Sequence, residues 1–276
     1  MNRVKRIRPG SVARWLWLGA VVLVVVLPVY VTVVTALLPR SDVAAGRLLP
    51  VPGRLTLDNV RFALDAAPLA RQYLVSVAVT VGQAGAQLVT AALAAYALVF
   101  PRWRGRGIVF GLVLATLAFP GESLVIPNFE LVTGLGLRDT LLGVVIPYLA
   151  AGYAVFLLRQ AFLALPRETW EAARLDGCGD LRALLHVVLP MARPQLVTAA
   201  MWCALSAWNG YFWPLLITDS PQRRTIQVGL AQLVVDQATS PAVIYAGTLL
   251  VLLPTLLLVL FGQRFLVRGL ASRVTT

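Results

Sequence analysis

Long uncharged apolar runs alternate with short charged stretches along the chain. Six runs stand out, at 15–39, 72–101, 107–121, 140–158, 194–218 and 237–263. A helix needs about 20 apolar residues to cross a hydrocarbon core. Five of the six runs meet that length, and the third is short because Glu122 follows the Pro120-Gly121 pair. Proline removes a helix hydrogen bond and glycine weakens what remains, so a span is expected to end or bend there. Backbone in lipid must bond within its own segment, and the alternation of barrel strands is absent. The pattern therefore predicts an all-α integral membrane protein with about six transmembrane helices. The first run follows basic residues but is too long for a signal peptide's apolar region, so it reads as a retained first helix.

Composition agrees. The chain is 59% hydrophobic and 13% charged, with mean hydropathy +0.79. Net charge is +12, a value that invites a nucleic-acid reading. Its distribution argues otherwise. Of the 24 Lys and Arg, 16 fall on the N-terminal side of the predicted spans, with only four acidic residues; the other side carries eight of each sign. Positive charge concentrates on the cytoplasmic side, so both termini are expected there and no nucleic-acid partner is needed. The two cysteines, Cys178 and Cys203, fall in a predicted cytoplasmic loop and a predicted span, a poor setting for a structural disulfide.

The inventory for chemistry is thin. His186 is the sole histidine and Lys5 the sole lysine. One histidine closes no multi-histidine metal site, and a phosphate-binding G-x-x-x-x-G-K-[ST] loop cannot be built around Lys5. No catalytic or metal residue is assigned. Any ATP-driven work requires another chain to hydrolyse the ATP.

One cytoplasmic segment, 165–194, is organised differently. Pro166 suits a first helical turn, and Glu168 and Glu171 favour a helix N-terminus. Asp176-Gly177 is a stop signal. A second helix is expected from Gly179-Asp180, with Asp180 as cap. Leu181, Leu184, Leu185 and Val188 then form an apolar stripe at i, i+3, i+4, i+7, and Pro190 and Pro194 bracket the start of the fifth span. Such a helix can lie on a bilayer, fill a groove in a partner or pack on its own chain, and periodicity does not choose.

Glu171-Ala172-Ala173-x-x-Asp176-Gly177, followed by Leu189-Pro190, resembles the E-A-A loop of binding-protein-dependent ABC importers. The likeness extends to Ala95–Phe100, Ile126–Phe129, Leu135–Thr140, Trp208–Leu215, Thr225–Leu230 and Gln263–Leu270, and is to the smaller, six-span partner of the maltose-type permease pair. It implies a type I importer permease fold, with 1–276 a single permease domain in the bacterial inner membrane. It implies an ATPase-docking set of Glu171, Ala172, Ala173, Asp176, Gly177, Leu181, Leu184, Leu185, Leu189 and Pro190. It also implies a homologous second permease chain, a nucleotide-binding ATPase dimer that carries ATP and Mg, an extracytoplasmic solute-binding protein and a carbohydrate-like solute. This chain would itself hold no cofactor. The tail 271–276 departs from the family's usual ending.

Polar residues inside the spans have two readings. Gln83 and Gln87, four apart on one helix face, and Asn209 and Tyr211 can line a path for a hydroxyl-rich solute. Hydrogen bonding between helices is the plainer reading of Gln83 and Gln87, and an interfacial aromatic belt also accounts for Tyr211 and the tryptophans near Asn209. An ion-coupled secondary transporter would need ionisable groups within the spans, and a membrane enzyme a richer set of reactive side chains. A permease for a non-sugar solute stays open.

Overall fold

The computed structural model describes residues 9–47, 49–50, 53–236 and 240–271. Arg3, Lys5, Arg6, Arg8 and Arg273 lie outside them, as does Gln237 at the start of the last apolar run. The described secondary structure is helical. In chain order the helices are α1 (Pro9–Leu37), α2 (Arg40–Ala44), α3 (Asp58–Ala66), α4 (Leu69–Val99), α5 (Arg106–Ala118), α6 (Val125–Gly134), α7 (Leu141–Val145), α8 (Gly152–Leu163), α9 (Arg167–Leu175), α10 (Asp180–Ala183), α11 (Leu189–Met191), α12 (Arg193–Trp208), α13 (Phe212–Ile217), α14 (Ile226–Asp236) and α15 (Pro241–Ala271).

Three stretches are long and apolar enough to span a membrane unbroken: Arg14–Leu37, Leu69–Val99 and Pro241–Phe261. Two bent helix pairs have the length and apolar composition of a broken span or a re-entrant loop. Leu141–Tyr148 meets Gly152–Leu163 at 49°, and Asp180–Met191 meets Arg193–Trp208 at 91°. The third apolar run forms the 13-residue α5, which stops before Pro120 and gives way to a 3-10 turn at Gly121–Leu124. The fifth run is not one helix. It breaks at Asn209–Tyr211, between α12 and α13.

The chain forms two compact units. The first comprises residues up to Ala67 together with Leu230–Leu252. In it the buried Asn59 amide donates to the carbonyls of Ala36 (3.0 Å) and Leu38 (2.7 Å), closing the end of α1. Those carbonyls lack helical partners, so a side-chain donor there prevents buried unpaired groups. Asp42, also buried, pairs with Arg47 and Arg54, each at 3.3 Å.

The second unit is Pro68–Gly229 with Leu253 onward, and α4 is its axis. One face of α4 turns Leu74, Val77, Val81, Val89 and Leu93 outward, whereas Gln72, Ser76, Gln83 and Gln87 are buried. That inversion of the soluble pattern is what lipid as solvent selects. Toward its Val99 end, Ala84, Ala91, Ala92 and Ala95 pack with Ala154, Leu158 and Ala161 of α8 and with Ala199 and Cys203 of α12. Small side chains let backbones approach, which matters where lipid supplies no hydrophobic drive between helices. Toward its Leu69 end, Val75 and Val79 join Val132, Val144, Trp213 and Ile217 in a second core. There Ile226 N–H donates to Ser76 Oγ (2.7 Å), and Gln72 Nε2 donates to the Pro221 carbonyl (2.9 Å). A Cβ at Gly229 would fall 1.7 Å from Gln72 Oε1, so any larger residue there must displace the Gln72 amide.

Candidate functional site

The segment between α8 and α12 folds as a helix, a glycine turn and a second helix. Pro166 stands just before α9 rather than in its first turn and makes no side-chain capping bond, and Glu168 lies in the first turn. At the far end Gly177 adopts φ +80. Cys178 N–H reaches back to Ala173 O (3.0 Å) and Gly177 N–H to Arg174 O (3.1 Å). This six-to-one and five-to-two pair is the Schellman closure, which needs the left-handed residue that glycine supplies. Asp180 is not the cap of the second helix. Gly179 occupies that position, and Asp180 is the first residue of α10.

The second helix is not uniform. A π turn spans Leu184–Val188, in which Leu189 N–H donates to Leu184 O. Pro190 explains it. Its ring cannot supply an N–H to His186 O and would clash with that carbonyl, and a wider turn relieves both. Ala192 then ends α11, and α12 leaves in a new direction with Pro194 in its first turn.

The apolar stripe divides in two. Leu184 (2% exposed) and Val188 are buried in the chain's own core, whereas Leu181 (61%) and Leu185 (50%) face outward with Leu175 (90%). Leu184 is thereby removed from the expected docking surface: it holds the helix to its own chain. Glu171, Ala172, Asp176 and Gly177 are exposed, and Ala173, Leu189 and Pro190 are half-buried. Glu171 forms an exposed ion pair with Arg167 at 3.4 Å, four residues before it.

A network fastens this segment to the end of α4. Trp170 Nε1 donates to Tyr96 Oη (2.9 Å), and Tyr96 Oη donates to Asp180 Oδ1 (3.1 Å). Arg174 pairs with Asp180 at 3.3 Å. The Trp170 ring stacks on Phe100 at 5.3 Å between centroids, and Arg167 donates to the Phe100 carbonyl (3.2 Å). Tyr96 thus joins both helices of the segment to α4. Sequence reading marked Ala95–Phe100 only by resemblance, and no periodicity pointed to this contact.

About 20 Å along α4, at 1.5 Å per residue, Gln83 lies on the wall of a cavity of about 200 Å³. Val79, Tyr148, Ser206, Tyr211 and Trp213 are among the other lining residues. Of the four residues read as a solute path, the cavity brings Gln83 and Tyr211 together. Gln87 is buried and donates to the Tyr148 carbonyl (2.9 Å). Asn209 turns back to donate to Leu205 O (2.8 Å). Gln87 therefore ties helices together and Asn209 closes the end of α12, and neither is on the cavity wall.

Beyond the cavity, two loops clamp together. Arg138 binds Asp219 through two hydrogen bonds of 2.9 Å. Asp139 Oδ1 accepts the N–H groups of Asp219 and Ser220, both at 3.0 Å, and Arg223 donates to the Asp139 carbonyl. Asp139 takes φ +56, a conformation aspartate tolerates better than most residues. Burial alone would push its carboxyl up. The Ser220 hydroxyl, the Ser220 and Asp219 N–H groups and the Arg223 cation outweigh that, and hold it below the ordinary carboxylate value. Thr140 next to it caps α7, accepting from Gly143 N–H at 3.0 Å.

Apolar spans, an interior lined by amides and aromatics, and a helix–turn–helix fastened to one spanning helix define a transport permease component. The chain belongs to the family described as the binding-protein-dependent transport system inner membrane component, whose family model matches residues 87–272. It is 33% identical to the sn-glycerol-3-phosphate transport system permease protein UgpE of Pectobacterium atrosepticum, over 91% of this chain and 92% of that one. It is 29% identical to the protein of the same description from Brucella suis, with the same coverage. Among solved structures it resembles a chain of a bacterial ABC transporter involved in the import of the acidic polysaccharide alginate. The TM-score is 0.83 at 26% identity, over 96% of this chain and 98% of that one. It is thus a permease subunit of the sugar-type ABC importer family, with the importer permease fold.

Proposed function

We propose that this chain works as one permease domain, 1–276, that imports a carbohydrate-like solute and is driven through segment 165–194 by a separate ATPase. The observation that carries the reading is the divided stripe. One side of the segment is fixed in the chain's own core and to Tyr96, and the other offers Leu175, Leu181 and Leu185 to a partner. Those leucines stand outside the chain's own core, an arrangement expected of a helix that fills a partner's groove.

In this reading both termini are cytoplasmic and segment 165–194 lies at the inner membrane face. ATP and Mg belong to a nucleotide-binding dimer, and this chain binds no cofactor. A second, homologous permease chain completes the path, and an extracytoplasmic binding protein delivers the solute. Closure of the ATPase dimer moves α9–α11, the bolted end of α4 follows, and the two permease chains rock between inward- and outward-facing states. Glu171, Ala172, Asp176, Gly177, Leu181 and Leu185 supply the docking surface. Ala173, Leu189 and Pro190 shape it from behind.

Co-purification of the ATPase with the assembled permease pair tests the docking. Leu181→Asp combined with Leu185→Asp is expected to abolish it while the pair still assembles. Retained ATPase in that variant would remove the segment from the docking role.

A further inference from the structure

We propose that the turn between α4 and α5 holds the phosphate of an anionic phospholipid headgroup at the membrane surface. This goes beyond the importer reading: it needs α4 to span a bilayer and asks nothing of the ATPase or the solute.

The first observation is charge without a partner. Arg102, Arg104 and Arg106 converge with Trp103 on an open cup of about 330 Å³. All three arginines are exposed, and none forms an ion pair with a described carboxylate. Elsewhere in the second unit Arg138, Arg167, Arg174 and Arg223 each have one. Like charges around one cup repel, and a single anion among them relieves all three. Guanidinium groups match the oxygens of a phosphate in both charge and geometry.

The second observation is a helix end. Gly105 precedes α5 with no side-chain capping bond, and the first turn carries no acidic residue. The first N–H groups of α5 therefore lack side-chain acceptors and carry the positive end of the helix dipole. Arg106, the first residue of α5, lines the cup and brings that helix end to the same place.

The third observation is the apolar flank, which decides for lipid. Trp103 Nε1 donates to Ala97 O (2.7 Å), so the indole folds back along α4. Ala97 continues the outward stripe of Val89 and Leu93, at i, i+4 and i+8. On α5, Ile108 and Leu112 are exposed directly after the arginines. A tryptophan between charged and apolar surface marks a membrane interface. A fourth cation stands one turn further along. Arg159 of α8 lies over the Phe110 ring at 3.8 Å, and Phe110 follows Arg106 by four residues. The buried Arg159 Nε has no hydrogen-bond partner among the described residues. An acidic protein surface would answer the charges and leave the apolar flank uncovered. A lipid answers both, with its phosphate at the arginines and its acyl chains beside the flank.

Lipid titration of the purified permease assembly tests this. Delipidated complex is titrated with phosphatidylglycerol, phosphatidylcholine or inorganic phosphate, and bound copies are counted by native mass spectrometry. The tightest site is expected to prefer phosphatidylglycerol to phosphatidylcholine. Arg102→Gln, Arg104→Gln and Arg106→Gln are each expected to weaken it about fivefold, the effect of one cation near an anionic surface. Arg71→Gln, exposed at the other end of α4, is expected to leave it unaltered. Arg104→Lys, which keeps the charge, is expected to retain the lipid and so separates lost charge from lost folding. Unchanged phosphatidylglycerol affinity in all three variants overturns the proposal, as does equal weakening by Arg71→Gln. Displacement of the lipid by equimolar inorganic phosphate makes the cup a free-anion site and overturns it too. Loss of the ATPase from Arg104→Gln with lipid affinity intact gives the cup to a protein partner, which is equally fatal.

Discussion

Gly177 shows how one residue sets the geometry of the candidate coupling segment. Its φ of +80 turns the chain between two helices, and no heavy atom lies within 4 Å of where a Cβ would sit. Space is therefore not the constraint, and backbone conformation is. Gly177→Ala is expected to cost about 1–2 kcal/mol of local stability, read as faster amide exchange across 172–181 with the complex still assembled. Gly177→Pro, whose φ is fixed near −65°, is expected to break the turn and release the ATPase. Asp139 works in the opposite charge regime. Its carboxyl is held low, so its contribution is fully present above the unfolded carboxylate value of about 3.9. That contribution is lost as pH falls through the lower folded value. The protection factors of amides in 137–140 and 218–223, which are exchange rates corrected for the intrinsic pH dependence, are expected to fall on acidification through that window. Asp139→Asn, which tolerates the left-handed backbone, is expected to show the lower protection already at neutral pH.

At the scale of elements, α4 carries the account. Its two ends are held by different cores, and its Tyr96–Phe100 end is fastened to both helices of the candidate coupling segment. Tyr96→Phe removes the hydroxyl that serves Trp170 and Asp180, leaving a partly buried indole N–H to find another partner. A loss of about 1–3 kcal/mol is expected for such an orphaned group, with the ATPase still bound and less solute moved per ATP. Unchanged coupling stoichiometry in that variant would deny α4 its transmitting role. Much of the element pattern was legible in the sequence. Pro120-Gly121 announced the end of α5, and Asp176-Gly177 announced the end of α9. The rest needed three dimensions. Periodicity grouped Leu181, Leu184, Leu185 and Val188 because all are apolar, but it carries no information on which neighbour each meets. Pro190 read as a bracket before the fifth span, whereas its missing N–H acts one turn earlier, as the π turn. Asp139 and Asp219 are 80 residues apart, so their clamp left no local mark. The solute path was half legible: Gln83 and Gln87 share a face four residues apart, yet only one meets the cavity, since the other finds a carbonyl first.

At the scale of the molecule, the charge of +12 and the apolar runs describe one fact, a chain partitioned by a membrane. The family match covers 87–272 and makes the chain a permease component, so the driving force is the property left to measure. Uptake of a radiolabelled neutral sugar mixture into proteoliposomes tests it most directly. The permease pair is reconstituted with the ATPase and the binding protein, with ATP on the ATPase side. Solute accumulation that requires ATP and both partners, and stops with Leu181→Asp combined with Leu185→Asp, is the expected result. Accumulation by this chain alone under an ion gradient, without ATP, would contradict the account.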